Sequence, residues 1–286
     1  MKNIIYLDGA TISADPKLLE SLSPGSVQGE GVFETMRSYG LKTSRKTAKI
    51  FQLDAHLSRL ARGLKILNIP EPFFLKEIKS TIEEILRLNL LGNAKVRVMV
   101  WQAGGKVHAS IVAAVYKPFP ESKYKKGFKA AVSKINLDSS SLLNGVKSIR
   151  YDFFLKACHR AKLDGFDEAL LLNLRGEVVE GSRSNIFCVS GHILYTPPLT
   201  CGCLNGITRQ AVIKIARRAG LNVQQRKVIL ADILKAEEIF LTNSLLEVMP
   251  VTSVDGKKIN GGRPGKRTLQ ILREYRRLVV RYINLL

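Results

Sequence analysis

The chain has 286 residues, with 45 Lys and Arg against 24 Asp and Glu, a formal charge of +21 at pH 7. A hydrophobic share of 45% with 22 Gly and 10 Pro excludes a mainly disordered chain, a collagen-like repeat and a small disulfide scaffold. At roughly 150 residues per domain the length predicts about two domains with a sizeable core.

In chain order, residues 4–7 read as a short strand ending at Asp8-Gly9, and residues 31–37 alternate as a second strand. Asp54 stands where a helix N-cap belongs, and Leu57, Leu60, Ala61, Leu64 and Leu67 then share one helical face. Pro72 opens a further helix with Ile78, Ile82, Ile85 and Leu86 as its apolar stripe. Residues 95–101 and 109–116 follow as strands, with Val96, Val98 and Val100 on one face. The prolines within residues 117–122 mark a linker. Beyond it the pattern gives a strand at 128–135, a polar loop at 139–145 and a helix at 151–163. Short strands at 168–172, 178–179, 185–189 and 193–195 come next, then helices at 208–219, stopped by Gly220, and at 267–280. This predicts a mixed α/β, two-lobed chain with a small N-terminal α/β domain over residues 1–118 and a larger domain over 119–286.

No apolar run approaches the roughly 18 residues that span a bilayer, and Asp8 interrupts the N-terminal run before a signal peptide could form. Cys201-x-Cys203 lacks the second pair of a zinc site, so Cys158, Cys188, Cys201 and Cys203 are expected as reduced thiols of a cytoplasmic protein without a metal. The positive surplus favours anionic partners, but its pairs (Arg45-Lys46, Lys125-Lys126, Arg217-Arg218, Lys257-Lys258, Arg276-Arg277) never grow into a long block or join an RNA-binding signature. A generally basic surface is therefore preferred to nucleic-acid binding.

The most informative segment is Gly206-Ile207-Thr208-Arg209, which opens an amphipathic helix after Pro197-Pro198-Leu199-Thr200. Backbone N–H groups at such a start, with the Thr208 hydroxyl and the helix dipole, suit a phosphate. Taken alone, an ordinary helix cap explains it as well. The surrounding order adds more. Residues 165–172 (Gly165-Phe166-Asp167-Glu168-Ala169-Leu170-Leu171-Leu172), Val179-Glu180-Gly181-Ser182-Arg183-Ser184-Asn185-Ile186-Phe187, Tyr195-Thr196-Pro197-Pro198-Leu199 and Leu204-Asn205-Gly206-Ile207-Thr208-Arg209 resemble the class IV aminotransferase family. Phe240-Leu241-Thr242-Asn243-Ser244 with Met249-Pro250-Val251, Gly31-Val32-Phe33-Glu34-Thr35 and His56-Leu57-Ser58-Arg59-Leu60 look like its remaining blocks, so the likeness runs over about residues 4–256 in unbroken order.

This resemblance implies the fold-type IV, D-amino-acid aminotransferase-like architecture and the cofactor pyridoxal 5'-phosphate. It implies Lys147 as the Schiff-base amine and proton shuttle, and Glu180 as the carboxylate on the pyridine nitrogen. It further implies cofactor contacts from Arg59, Tyr151, Ser182, Asn185, Gly206, Ile207, Thr208 and Ser244. The residues alone would read Arg59 as solvated, Ser244 as a turn residue and Tyr151 as a packed aromatic. Arg97, and more weakly Arg37, are candidates for a substrate carboxylate. Gln28 stands where relatives commonly carry a tyrosine, which leaves side-chain and stereochemical specificity open. The implied reaction moves an amino group between an amino acid, branched-chain or D-type, and a 2-oxo acid, in a homodimer. Aminodeoxychorismate lyase chemistry, releasing pyruvate and 4-aminobenzoate, is the alternative, and a basic nucleic-acid-binding protein the remote one.

Overall fold

Strand alternation organises the first part of the chain. The computed structural model describes residues 3–40, 48–138 and 143–285, and the chain divides into two units. The first comprises Met1–Lys117, Val146–Asp152 and Arg281–Leu286. It carries β1 (Asn3–Leu7), β2 (Ala10–Ala14), α1 (Pro16–Ser21), β3 (Glu30–Tyr39), β4 (Lys49–Ile50), α2 (Leu53–Ile66), α3 (Ile78–Leu88), β5 (Ala94–Ala103) and β6 (Lys106–Val115). Among the described residues the sheet runs β2-β1-β6-β5-β3-β4, and every pairing is antiparallel.

Alternation sends neighbouring residues to opposite sheet faces, and both faces are covered. On one, Val32 and Met36 of β3 and Val96, Val98 and Val100 of β5 pack with Leu60 and Leu64 of α2 and Ile78, Ile82 and Ile85 of α3. On the other, Phe33, Met99 and Trp101 pack with Ile5, Leu22 and Ile149. Each such large apolar side chain contributes roughly 1.5–3 kcal/mol by leaving water. α2 lies close on β3 because residue 63 is glycine: a Cβ there would stand 2.8 Å from Val32 Cγ1.

Two expected helix starts move. α2 begins at Leu53 behind a left-handed Gln52 (φ 54°), while Asp54 sits inside the first turn and pairs with Lys79. Pro72 leads into a short 3-10 turn, Phe73–Lys76, before α3 starts at Ile78. The Arg45-Lys46 pair lies outside the described residues. Val146–Asp152 belongs with the first unit because it runs beside the start of β3. There Phe33 N donates to Lys147 O at 2.9 Å and Ile149 N donates to Gly31 O at 3.0 Å.

The second unit comprises Pro118–Gly145 and Phe153–Val280. Its elements are α4 (Glu121–Lys126), β7 (Phe128–Val132), α5 (Asp152–Leu163), β8 (Glu168–Leu172), β9 (Val178–Gly181), β10 (Asn185–Ser190) and β11 (Ile193–Thr196). Then follow α6 (Ile207–Arg218), β12 (Asn222–Gln225), α7 (Leu230–Lys235), β13 (Glu238–Asn243), β14 (Glu247–Val254), β15 (Lys257–Lys258) and α8 (Lys266–Leu285). The sheet order is β12-β11-β10-β13-β14-β7-β8-β9, with β15 on β14. β10 and β13 are buried throughout their middles, where Phe187 and Phe240 stack at 5.0 Å. The linker stretch turns into α4 straight after Pro120. Residues 139–142 of the expected polar loop lie outside the described residues. Among the described residues no helix is long and apolar enough to cross a membrane.

Candidate active site

Two groups of side chains emerge, one in each unit. In the first, Lys147 is half-buried, its Nζ 4.4 Å from the Phe33 ring centroid and 5.5 Å from that of Tyr151. Phe33 and Tyr151 meet edge to face at 5.3 Å. The return segment sets this up: Lys147 and Tyr151 flank the residues that hydrogen-bond to β3, whose Phe33 points to their side.

The next residue of β3, Glu34, points the other way, toward α2, and is wholly buried. Arg59 grips it as a fork, Nε donating to Oε1 at 2.7 Å and Nη2 to Oε2 at 2.8 Å. His56, one helical turn before Arg59, hydrogen-bonds Glu34 Oε2 through Nδ1 at 2.8 Å. Burial opposes ionisation of Glu34, but the charge and hydrogen bonds of Arg59, helped by His56, hold its carboxyl down at about 2. Burial pushes the His56 imidazole below its ordinary range; Glu34 pulls upward, and the charges of Arg59 and Lys147 push downward. Arg59 is therefore not a solvated helix cation: it is 10% exposed and oriented by a carboxylate. Sequence reasoning missed Glu34 and His56 as functional side chains. The available signal was an acid in the apolar half of an alternating strand, and a histidine three residues before the arginine.

Beyond Phe33 on the same sheet face, Thr35 pairs with Arg97 and Arg37 with Lys95 across β3 and β5. Arg97 donates from Nη1 to Ser23 Oγ at 3.3 Å, and burial lowers its affinity for its proton. Lys95 is lowered too, by burial and then by Arg97. Among the described residues no carboxylate pairs with Arg97 or Lys95. Arg37 is buried, its guanidinium 4.4 Å from the Tyr39 ring and 5.0 Å from that of Tyr116. Gln28 is exposed, just ahead of β3.

In the second unit, Glu180 of β9 is buried, and its Oε2 accepts from Asn185 Nδ2 at 3.2 Å and from Leu204 N at 3.1 Å. Asn185 Nδ2 also donates to Leu204 O at 2.8 Å. Gly206 caps α6 with no side-chain hydrogen bond, so the first-turn amides at Ile207 and Thr208 are left without that usual partner. Only glycine fits at 206, because a Cβ there would lie 2.0 Å from Asn185 Oδ1. Glu180, Asn185, Gly206, Ile207 and Thr208 thus form one connected group. Ser182 is tied elsewhere: its hydroxyl donates to the wholly buried Glu168, which also accepts from Ser184 Oγ at 3.2 Å. Ser244 sits in the turn between β13 and β14, shaped by Asn243 Oδ1 accepting from Leu245 N at 2.8 Å and Leu246 N at 2.7 Å.

Cys158, Cys188, Cys201 and Cys203 are buried and unbridged, and burial pushes the Cys203 thiol up to about 12. The first group offers a primary amine on an aromatic bed and a fixed guanidinium fork; the second offers a buried carboxylate and a helix N-terminus without a side-chain cap.

The family model for amino-transferase class IV matches residues 31–254. The chain is 32% identical over 288 residues to the branched-chain-amino-acid aminotransferase of Pseudomonas aeruginosa, covering 96% of this chain and 92% of the relative. It is 31% identical over 252 residues to D-alanine aminotransferase of Bacillus licheniformis, covering 85% of each. The solved branched-chain amino acid aminotransferase from Thermobaculum terrenum, in its PLP-form, superposes with a TM-score of 0.84 at 27% identity, covering 99% of this chain and 97% of that one. The fold is fold-type IV, the molecule is an enzyme, and the chain belongs to the class IV aminotransferase family.

Proposed function

We propose that the chain is a pyridoxal 5'-phosphate-dependent transaminase whose donors are branched-chain-type amino acids and whose acceptors are 2-oxo acids. The observation that carries the reading is the unbroken family match over residues 31–254. The reported relatives are named aminotransferases, which favours amino transfer over the lyase alternative. The donor set fits the cofactor's chemistry. The start of α6 has no side-chain cap, which leaves its first amides for a phosphate, and Glu180 is a buried carboxylate of the kind a pyridinium needs.

When bound, pyridoxal phosphate supplies an aldehyde that takes up the amino group and a ring that accepts electrons. Lys147 Nζ would hold the cofactor through its aldehyde carbon, and as a free amine it would take and return a proton at the substrate carbon. Glu180, kept in place by Asn185 and the Leu204 amide, holds the pyridine nitrogen protonated. Arg59, Ser244 and the Ile207 and Thr208 amides bind the phosphate, and Glu34 fixes the direction of the Arg59 fork. Tyr151 lies against Lys147 and is assigned to the phenolic oxygen. Ser182 supports β9 through Glu168 in this reading. Arg97 and Arg37, with Lys95 beside them, bind a substrate carboxylate, and Gln28 borders the side-chain pocket. The working unit is a homodimer.

The test is a panel on the purified protein: loss of leucine or of D-alanine dependent on 2-oxoglutarate, beside pyruvate release from aminodeoxychorismate. Leucine turnover is expected. D-Alanine turnover alone would reassign the substrate, and pyruvate release alone would overturn amino transfer. Sedimentation of a monomer at assay concentration would remove the dimer.

A further inference from the structure

Arg209 closes the Gly206–Arg209 motif, yet its side-chain hydrogen bonds go to Pro197 and Gln225 and to none of the groups assigned to the cofactor or substrate. It is the third residue of α6 and is fully buried, at 0% exposure. A guanidinium is the costliest side chain to bury unless its donors are met, and an apolar replacement of similar size is often neutral or stabilising. Here the donors are only partly met. Nη2 donates to Pro197 O at 2.9 Å and to Gln225 Oε1 at 2.9 Å, while Nε and Nη1 find no acceptor among the described residues. Burial lowers the guanidinium's affinity for its proton, and the Glu180 carboxylate opposes that. A buried cation this poorly compensated is a poor way to fill a core.

Its two acceptors explain its place. Gln225 ends β12, a strand paired in parallel with β11, and Pro197 follows directly after β11. The connection from Pro197 runs through Leu204 to Gly206. Leu204 N reaches Glu180 at 3.1 Å, Leu204 O receives Asn185 at 2.8 Å, and Gly206 heads α6. Arg209 therefore holds the start of this connection from inside the helix that the connection leads into. Asn185 holds its end.

We propose that Arg209 is a positioning residue: its guanidinium clamps the Pro197–Gly206 connection to β12, so that the Leu204 amide stays on Glu180 and the α6 N-terminus keeps its aim. The catalytic part of this inference rests on the reading of Glu180 as the cofactor's carboxylate. The clamp itself does not.

The experiment uses the full chain, with and without added pyridoxal phosphate, and compares wild type with Arg209→Met and Arg209→Lys. Amide hydrogen exchange is followed over residues 197–208, beside thermal melting, cofactor absorbance, kcat and KM. Arg209→Met is expected to keep its melting temperature while these amides exchange about tenfold faster without cofactor. Its kcat should fall by about 10²-fold with KM nearly unchanged, the size expected for a misplaced group. Arg209→Lys, which keeps a donor for one of the two acceptors, should recover part of kcat and part of the exchange protection together. Unchanged exchange in a folded Arg209→Met, or a lower melting temperature with kcat per folded molecule unchanged, would overturn the proposal. If Arg209→Met does not fold, Gln225→Leu removes one anchor and must speed the same amides, or the clamp is wrong. A wild-type chain that binds no pyridoxal phosphate would overturn the functional reading instead, and exchange would still decide the clamp.

Discussion

At the residue scale, the most consequential arrangement is the one joining Glu34, His56 and Arg59. Glu34 is wholly buried with its carboxyl held at about 2 against an ordinary 4.5. A carboxyl lowered on folding contributes stability that is complete above its unfolded value and is lost as pH falls toward its folded one. The window is therefore roughly pH 4.5 down to 2, and the contribution at neutral pH is on the order of 3 kcal/mol. His56, depressed by burial, acts in the same sense, since protonation penalises the fold. Glu34→Gln should cost about 3 kcal/mol at pH 7, because Arg59 is then left buried without its anion. Urea unfolding at pH 7 and pH 4 measures this: the gap between variant and wild type should be smaller at pH 4. A gap that grows with acid would contradict the assignment. None of this was legible as chemistry in the sequence. Glu34 and Arg59 are 25 positions apart, and each looks ordinary in its own element.

At the element scale, long periodic segments were readable, and so were the short strands at 168–172, 178–181, 185–190 and 193–196 that turn signals bracket. β3, β5, β6, α2 and α6 appear at the expected positions within a few residues, and α3 keeps its expected apolar stripe though it starts six residues late, because each carries enough apolar repeats to define a face. β2, α1, β4 and α7 have at most six residues each and too little pattern to announce themselves. Helix starts slipped where tertiary context won: Asp54 pairs with Lys79 instead of capping, and a left-handed Gln52 takes the cap position. The α6 start was legible as a glycine-headed helix N-terminus, but its dependence on Asn185 was not. That dependence gives a prediction. Gly206→Ala pushes a Cβ to 2.0 Å from Asn185 Oδ1, so Asn185 must leave Glu180 or α6 must shift. The expected cost is about 1–3 kcal/mol of stability, with pyridoxal phosphate affinity falling about tenfold or more, read by melting and cofactor titration. Full affinity in the variant would show that α6 does not bind the phosphate.

At the scale of the whole molecule, the charge of +21 remains the feature that the site does not use. Like charges in such excess repel one another in the folded state, and salt screens that repulsion. Melting temperature should therefore rise between low and moderate salt, and a fall would mean that attractive pairs dominate the surface. The order of blocks along the chain was legible from sequence, but the return of Val146–Asp152 to the first unit was not, since it depends on pairing with β3. That return matters, because it sets Lys147 over Phe33. In the proposed reaction this one amine carries the chemistry. Lys147→Ala should lose activity on the order of 10³-fold or more, but a direct readout exists that does not depend on turnover. Borohydride reduction of the protein loaded with pyridoxal phosphate, followed by peptide mapping, is predicted to place a single pyridoxyl group on Lys147. A label on another lysine, or no label at all, would contradict the account.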